Sequence, residues 1–156
     1  MSARLFFLVV SLAWTKATWA MDMDYNLTHS VSLGTNVHLK WGFDLHRENI
    51  TFELTIGTTG WVSLGFSPHG GMDNADIVMG GLGSTGSYFT DRFSTGESMP
   101  TTDELQNYHL ISMTEHNGET IMTFHRLVDT KDPKDYHITD QSVYLIYAYG
   151  DTDEMK

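Results

Sequence analysis

Beyond residue 32 the apolar and polar positions of the chain alternate with a period of two. Val37, Leu39, Trp41 and Phe43 alternate with His38, Lys40, Gly42 and Asp44, and Ile50, Phe52, Leu54 and Ile56 alternate with Thr51, Glu53, Thr55 and Gly57. A strand sends successive side chains to opposite faces, so each stretch reads as a strand with one buried face. The link over residues 45–49 is short enough for a hairpin. Thr58-Thr59-Gly60 then leads to residues 61–67, whose inward set is Val62, Leu64 and Phe66, and the three strands are expected to run as a meander. A glycine-rich loop over residues 68–74, an apolar run over 75–79 and a second glycine cluster over 80–83 follow. Further strands are predicted over residues 88–94, 108–114, 120–127 and 143–149. His116-Asn117-Gly118 marks a hairpin, because Asn-Gly accepts positive φ. Residues 95–107 read as a long connection, with one helical turn signalled by Thr101 and Glu104 at capping-box spacing. About eight short strands without an amphipathic helix predict an all-β fold, an antiparallel β-sandwich.

The first twenty residues break this pattern. Arg4, an apolar stretch over residues 5–14 and the small-residue boundary Thr18-Trp19-Ala20 have the plan of a secretory leader cleaved after Ala20. That stretch is about half of the ~20 residues a helix needs to cross a bilayer, and nothing later in the chain is long enough. The predicted organisation is a signal peptide over 1–20, a lead-in over 21–32, one sandwich domain over 33–150 and a tail over 151–156. Glycan acceptor sequons stand at Asn26-Leu27-Thr28 and Asn49-Ile50-Thr51. The destination implied is the secretory pathway, as a secreted glycoprotein or in a vesicle lumen.

Composition narrows the chemistry. With 40% hydrophobic and 12% aromatic residues, the chain has the material for a packed core. Nine Lys and Arg against twenty Asp and Glu give a net charge of −11, which opposes a nucleic-acid partner. Cysteine is absent, excluding thiol catalysis and Cys-ligated metals, so any metal must be held by His, Met or oxygen. The eight His residues include no His-His or His-x-His pair, which weakens a copper site, and no G-x-S-x-G elbow supports a Ser nucleophile.

Carboxylates are more promising. Asp73 and Asp76 follow Gly70-Gly71, with Asp91 and Asp103 further on. Hard cations such as calcium take six to eight oxygens from carboxylates and carbonyls, which glycine-rich loops present freely. Turn-shaping by Asp73 and Asn74 is the competing reading. Haem would need axial His or Met ligands. Met122 and His125 fall on opposite strand faces, His109 and Met113 lie two strand steps apart, and core packing explains the methionines equally well. Arg126, in a half-buried strand, is read as structural, paired with a carboxylate if it points inward. The aromatics, Trp61 and Tyr144 among them, fill a core or floor a small-molecule groove.

Several segments also resemble a known family. Residues 60–67 (Gly-Trp-Val-Ser-Leu-Gly-Phe-Ser), 72–78 (Met-Asp-Asn-Ala-Asp-Ile-Val) and 88–91 (Tyr-Phe-Thr-Asp) are similar to the DOMON domain, in particular to the N-terminal module of dopamine beta-hydroxylase-like monooxygenases. So are Asn107-Tyr108-His109-Leu110, Phe124-His125-Arg126, residues 132–136 and residues 143–147. The resemblance implies a β-sandwich accessory to copper- and ascorbate-dependent catalytic domains that hydroxylate catecholamine-like substrates. The copper ligands of that family lie in His-rich motifs absent here, so the chain alone is expected to be a non-catalytic binding or interaction module. The alternatives are an N-terminal fragment of such an enzyme and a haem-binding electron-transfer module. Expected partners are the copper-monooxygenase catalytic domains or a small-molecule ligand. The resemblance also implies a calcium-like cation held by Asp76, the carbonyls of Ile77 and Arg92, and Asn107, a position that is acidic in some relatives. Lys131 stands where relatives often carry a Cys that joins domains.

Overall fold

The computed structural model describes residues 26–154, so the expected leader lies outside the described residues. Ten strands form: β1 (His29–Gly34), β2 (Val37–Phe43), β3 (Asn49–Ile56), β4 (Val62–Ser67), β5 (Asp76–Gly83), β6 (Gly86–Phe93), β7 (Thr101–Thr102), β8 (His109–His116), β9 (Glu119–Leu127) and β10 (Tyr144–Tyr149). They make two antiparallel five-stranded sheets, in the orders β1-β2-β3-β9-β8 and β10-β4-β5-β6-β7. The chain is an all-β sandwich, as its alternation implies.

The core is built by the inward sets. Leu39 of β2 faces Leu54 of β3, and Phe52 of β3 faces Phe124 of β9 with ring centroids 5.2 Å apart. From the opposite layer Val62, Leu64 and Phe66 of β4 and Val78 of β5 close the interior, with Phe66 5.3 Å from Phe52. The β8–β9 turn uses Asn117 at φ 52° and Gly118 at φ 81°, the left-handed geometry that the Asn-Gly pair predicts.

Two expectations need correction. The first three predicted strands do not run as a meander: β2 and β3 pair, but β4 belongs to the other sheet, and β3 takes β9 as its second neighbour. Residues 57–61 carry the chain between layers. Thr58 N–H donates to Ile56 O at 2.8 Å, and the Thr58 carbonyl accepts from Thr120 Oγ1 on β9 at 2.8 Å. Nor does Thr101 cap a helical turn. Its hydroxyl donates to Phe93 O at 3.2 Å, and Thr101–Thr102 extend the second sheet as β7. Strand β1, absent from the predicted set, pairs His29 with Trp41 and Val31 with Leu39 before a bulge near Gly34.

Candidate functional site

At one end of the interior the aromatic core gives way to charge. Asp76, the first residue of β5, is 1% exposed, and so is Arg126 of β9, across the sandwich. The pairing Ile50↔Arg126 puts Arg126 on the inward face of its strand with Phe124 and Met122. Its Nη1 donates to Asp76 Oδ2 at 3.0 Å and to Tyr108 Oη at 2.9 Å. Tyr108 Oη in turn donates to Asp76 Oδ2 at 2.7 Å, and the Tyr136 N–H reaches the same oxygen at 2.8 Å. Arg126 Nη2 donates to the Tyr136 carbonyl at 3.0 Å and stands 4.0 Å from Asp135 Oδ2. Arg126 therefore points inward, and the segment around residue 136 is latched to it from both sides. A buried ion pair persists only when hydrogen bonds saturate it, and Oδ2 of Asp76 meets that condition.

Oδ1 does not. Asp76 Oδ1 and Asp91 Oδ1 are both buried and have no hydrogen-bond partner among the described residues. Asp91, on the neighbouring strand β6, is also 1% exposed and faces the interior as the cross-strand partner of Val78. Its Oδ2 accepts the Asn107 N–H at 2.9 Å. The carboxylates of Asp76, Asp91 and Asp135 each offer an oxygen within 4.8 Å of the others. Burial pushes the Asp76 carboxyl up to about 7, against the lowering by Tyr108, Tyr136 and Arg126. It pushes Asp91 up to about 7 as well, helped by the charges of Asp76, Asp135 and Asp103. Asp135 is raised for the same first reason. Unpartnered buried carboxylate oxygens cost free energy unless a proton or a cation meets them.

A second group, Asp103, Asp132 and Asp135, adjoins the first. Lys134 Nζ donates to Asp103 Oδ1 at 2.8 Å, so part of that charge is already balanced. The Asn107 side-chain amide lies against Asp132 and Asp135; with its nitrogen turned to them it donates to both at 3.2 Å.

Of the residues expected to hold a cation, Asp76 and Asn107 border this cluster, and Ile77 and Arg92 are direct partners on the paired strands β5 and β6. The Arg92 side chain is turned to Thr90 Oγ1 and Pro100 O, 2.9 and 2.8 Å away. Sequence reasoning named Asp91 among the candidate carboxylates without joining it to Asp76, and missed Asp135 and Tyr136 as members. Asp91 had a signal, a carboxylate at an inward position of a strand; Asp135 and Tyr136 lie in a loop with no periodicity. Of the sequons, Asn26 is exposed, while Asn49 opens β3 half-buried and donates through Nδ2 to Asp44 Oδ2 at 2.9 Å. Both carboxylate groups lack His, and His109 and His125 face each other across β8 and β9 with ring centroids 5.4 Å apart and planes tilted by 42°.

The geometry defines a class: a β-sandwich domain with a buried acidic cluster bridging its two sheets. Residues 33–150 match the DOMON domain family, and the chain belongs to it. Relatives carry the same assignment further. The chain is 39% identical over 118 residues to mouse DBH-like monooxygenase protein 2, covering 75% of this chain and 19% of that protein. It is 38% identical over 112 residues to human DBH-like monooxygenase protein 1, covering 72% and 18%, and 34% identical over 113 residues to rat dopamine beta-hydroxylase, covering 72% and 18%. It thus spans about a fifth of the length of these relatives. Among solved structures, the cytochrome b domain of Coprinopsis cinerea pyranose dehydrogenase superposes with a TM-score of 0.55 at 15% identity, covering 74% of this chain and 64% of that one. At that identity the likeness is one of fold. No helix among the described residues is long and apolar enough to cross a membrane.

Proposed function

We propose that the chain is a non-catalytic DOMON module of the secretory pathway, accessory to copper monooxygenase chemistry carried elsewhere, and that it holds a calcium-like cation at its acidic cluster. The supporting observation is the pair of orphaned oxygens, Asp76 Oδ1 and Asp91 Oδ1, beside Asp135. The donor set fits a hard cation, since it is all oxygen. Asp76, Asp91 and Asp135 would hold it, with the carbonyls of Ile77 and Arg92 as further ligands and the Asn107 amide turning over to present its oxygen. The ion would supply positive charge where Arg126 alone faces three carboxylates.

Binding to the native state alone raises the melting temperature. Millimolar Ca²⁺ is expected to raise it relative to chelator, and Asp91→Asn to remove most of the difference. Equal melting temperatures in Ca²⁺ and chelator would overturn the cation. Hydroxylation of a phenethylamine by the purified chain with copper and ascorbate would overturn the non-catalytic reading.

A second reading, that the sequence is part of a full copper- and ascorbate-dependent monooxygenase, has the relatives' greater length in its favour. Sequencing the 3′ end of the transcript separates the two, through continuation into His-rich motifs or a stop after Lys156. Haem fits less well. The interior cavity between the sheets offers His29 and no Met, so its lining lacks an axial pair.

A further inference from the structure

We propose that the wedge between β1–β2 and β10 is a binding site for a small amphipathic organic anion with a flat apolar body. Its lining includes none of the clustered carboxylates, and occupancy requires no cation there. The two sheets are sealed where β3 and β9 face β4 and β5, but they splay towards the edge strands. Val31 faces inward as the partner of buried Leu39, yet it is 38% exposed. Val143, just before β10, is 36% exposed. Between them lies a cavity of about 550 Å³, within the range of small-molecule sites, about 300–1,000 Å³. An inward-facing valine left to solvent is a core position whose packing partner is missing.

The lining sets the chemistry of the occupant. Leu39, Ile50, Phe52 and Phe66 form a buried floor, and Trp41 and Tyr136 stand as partly buried aromatic walls. Such a surface suits a flat hydrocarbon or aromatic body. Polar groups gather at the mouth. Arg47, held at φ 57° in the β2–β3 turn, lays its guanidinium 4.4 Å from the centroid of the Phe43 ring. It makes no ion pair among the described residues. His29 stacks on Trp41 at 5.3 Å, with Nδ1 hydrogen-bonded to Thr28 Oγ1 at 2.9 Å and Nε2 left beside it. The one acid of the lining, Asp140, is exposed and accepts from the Gln141 amide at 3.0 Å. An unpaired guanidinium above an apolar floor selects an anionic head and repels an amine.

The test is a fluorescence titration of the full chain with 1-anilinonaphthalene-8-sulfonate and with its uncharged relative N-phenyl-1-naphthylamine. Saturable one-site binding is expected, with the sulfonate the tighter. Arg47→Gln is expected to weaken the sulfonate about fivefold and leave the neutral probe unchanged. Val143→Trp, which fills the mouth from an exposed position, should abolish binding of both at an unchanged melting temperature; Ser142→Trp serves the same purpose if it does not fold. Met99→Glu, in a separate groove beside Met72 and Met79 on the outer face of the second sheet, should change neither. Equal affinity for the two probes, or insensitivity to Arg47→Gln, would overturn the anion. Loss of binding in Met99→Glu, or its persistence in both tryptophan variants, would overturn the site. A Soret band on haem addition that disappears in His29→Ala would replace the anion with haem.

Discussion

The interior of this sandwich departs from plain hydrocarbon packing in two places, and they obey opposite rules. Around Asp76 and Arg126 the core is charged and closed: both side chains are 1% exposed, and one carboxylate oxygen carries three donors while its twin carries none. Between β1 and β10 the core is apolar and open, with inward-facing Val31 exposed for want of a neighbour. In the first region the problem is excess charge, and each group depends on all the others. In the second the problem is missing volume, and each group is nearly independent. Deletions should therefore act through the network at one end and through local packing at the other.

The largest effect is expected at the closed end. Arg126→Leu removes the cation paired with Asp76 and leaves its carboxylate buried among Tyr108, Asp91 and Asp135. Breaking one half of a buried pair costs about 3–5 kcal/mol, measurable by denaturant unfolding. Asp76→Asn in the same background should recover part of the loss, because the residual charge is gone. Failure of the double variant to recover any would show that Arg126 acts through packing alone. At the open end, Leu39→Ala, on the cavity floor, is expected to cost about 2–5 kcal/mol, whereas Val143→Trp at its mouth should stay within about 0.5 kcal/mol of the parent. If Val143→Trp destabilises as much as Leu39→Ala, the wedge is filled by the protein itself and the contrast fails.

A smaller effect sharpens the charged side by pH. The folded carboxyls of Asp76 and Asp91 titrate at about 7, above the value of about 3.8 that an exposed Asp takes. Between those values the folded state binds more protons at these two groups than the unfolded one, so their contribution to stability is largest below about pH 4 and falls as pH rises to about 7. In chelator, the melting temperature should decline between pH 5 and pH 8, and Asp91→Asn should flatten the decline. A cation competes with those protons, so the rise produced by Ca²⁺ should be larger at pH 8 than at pH 5.5. A rise that shrinks with pH would place the ion elsewhere.

How far these regions were legible beforehand follows the same division. Alternation located β2, β3 and β4, because their inward positions carry large apolar residues between small or polar ones, and the Asn-Gly turn marked β8 and β9. Strand β1 escaped because its inward set includes His29 and its outward residues are serines, which also suit a loop. The jump of β4 to the second sheet was invisible, since period two assigns a face and not a partner. The same blindness hid the pairing of Asp76 with Arg126, fifty residues apart: each was noticed singly, and only the sheet order brings β5 opposite β9. Asp135 and Tyr136 stood in a segment that resembles the family, yet no periodicity marked them, because a loop residue reaches the core through backbone geometry that no pattern encodes. The cavity was unreadable for a related reason, as it arises from the splay of two edges, and no local pattern encodes how far apart two sheets stand.

The two regions are neighbours, since Ile50 pairs with Arg126 and Phe66 with Asp76, and one further residue belongs to both, which gives the finest test. The Tyr136 backbone is latched to the charged end through Asp76 Oδ2 and Arg126 Nη2, while its ring lines the apolar cavity and packs 6.2 Å from Phe66. The chain then continues through Ile138 and Val143 along the cavity wall. An ion that fixes Asp76 fixes the position of that ring, so filling one region should favour filling the other. Coupling of this kind is reciprocal. Ca²⁺ is expected to tighten binding of the anilinonaphthalene sulfonate by about two- to fivefold, and the probe should tighten Ca²⁺ by the same factor. Tyr136→Ala keeps the backbone latch and removes the ring, so it should abolish the coupling while leaving the Ca²⁺-induced rise in melting temperature in place. If the variant loses that rise as well, the ring supports the acidic cluster itself, and the two interruptions of the core form a single unit.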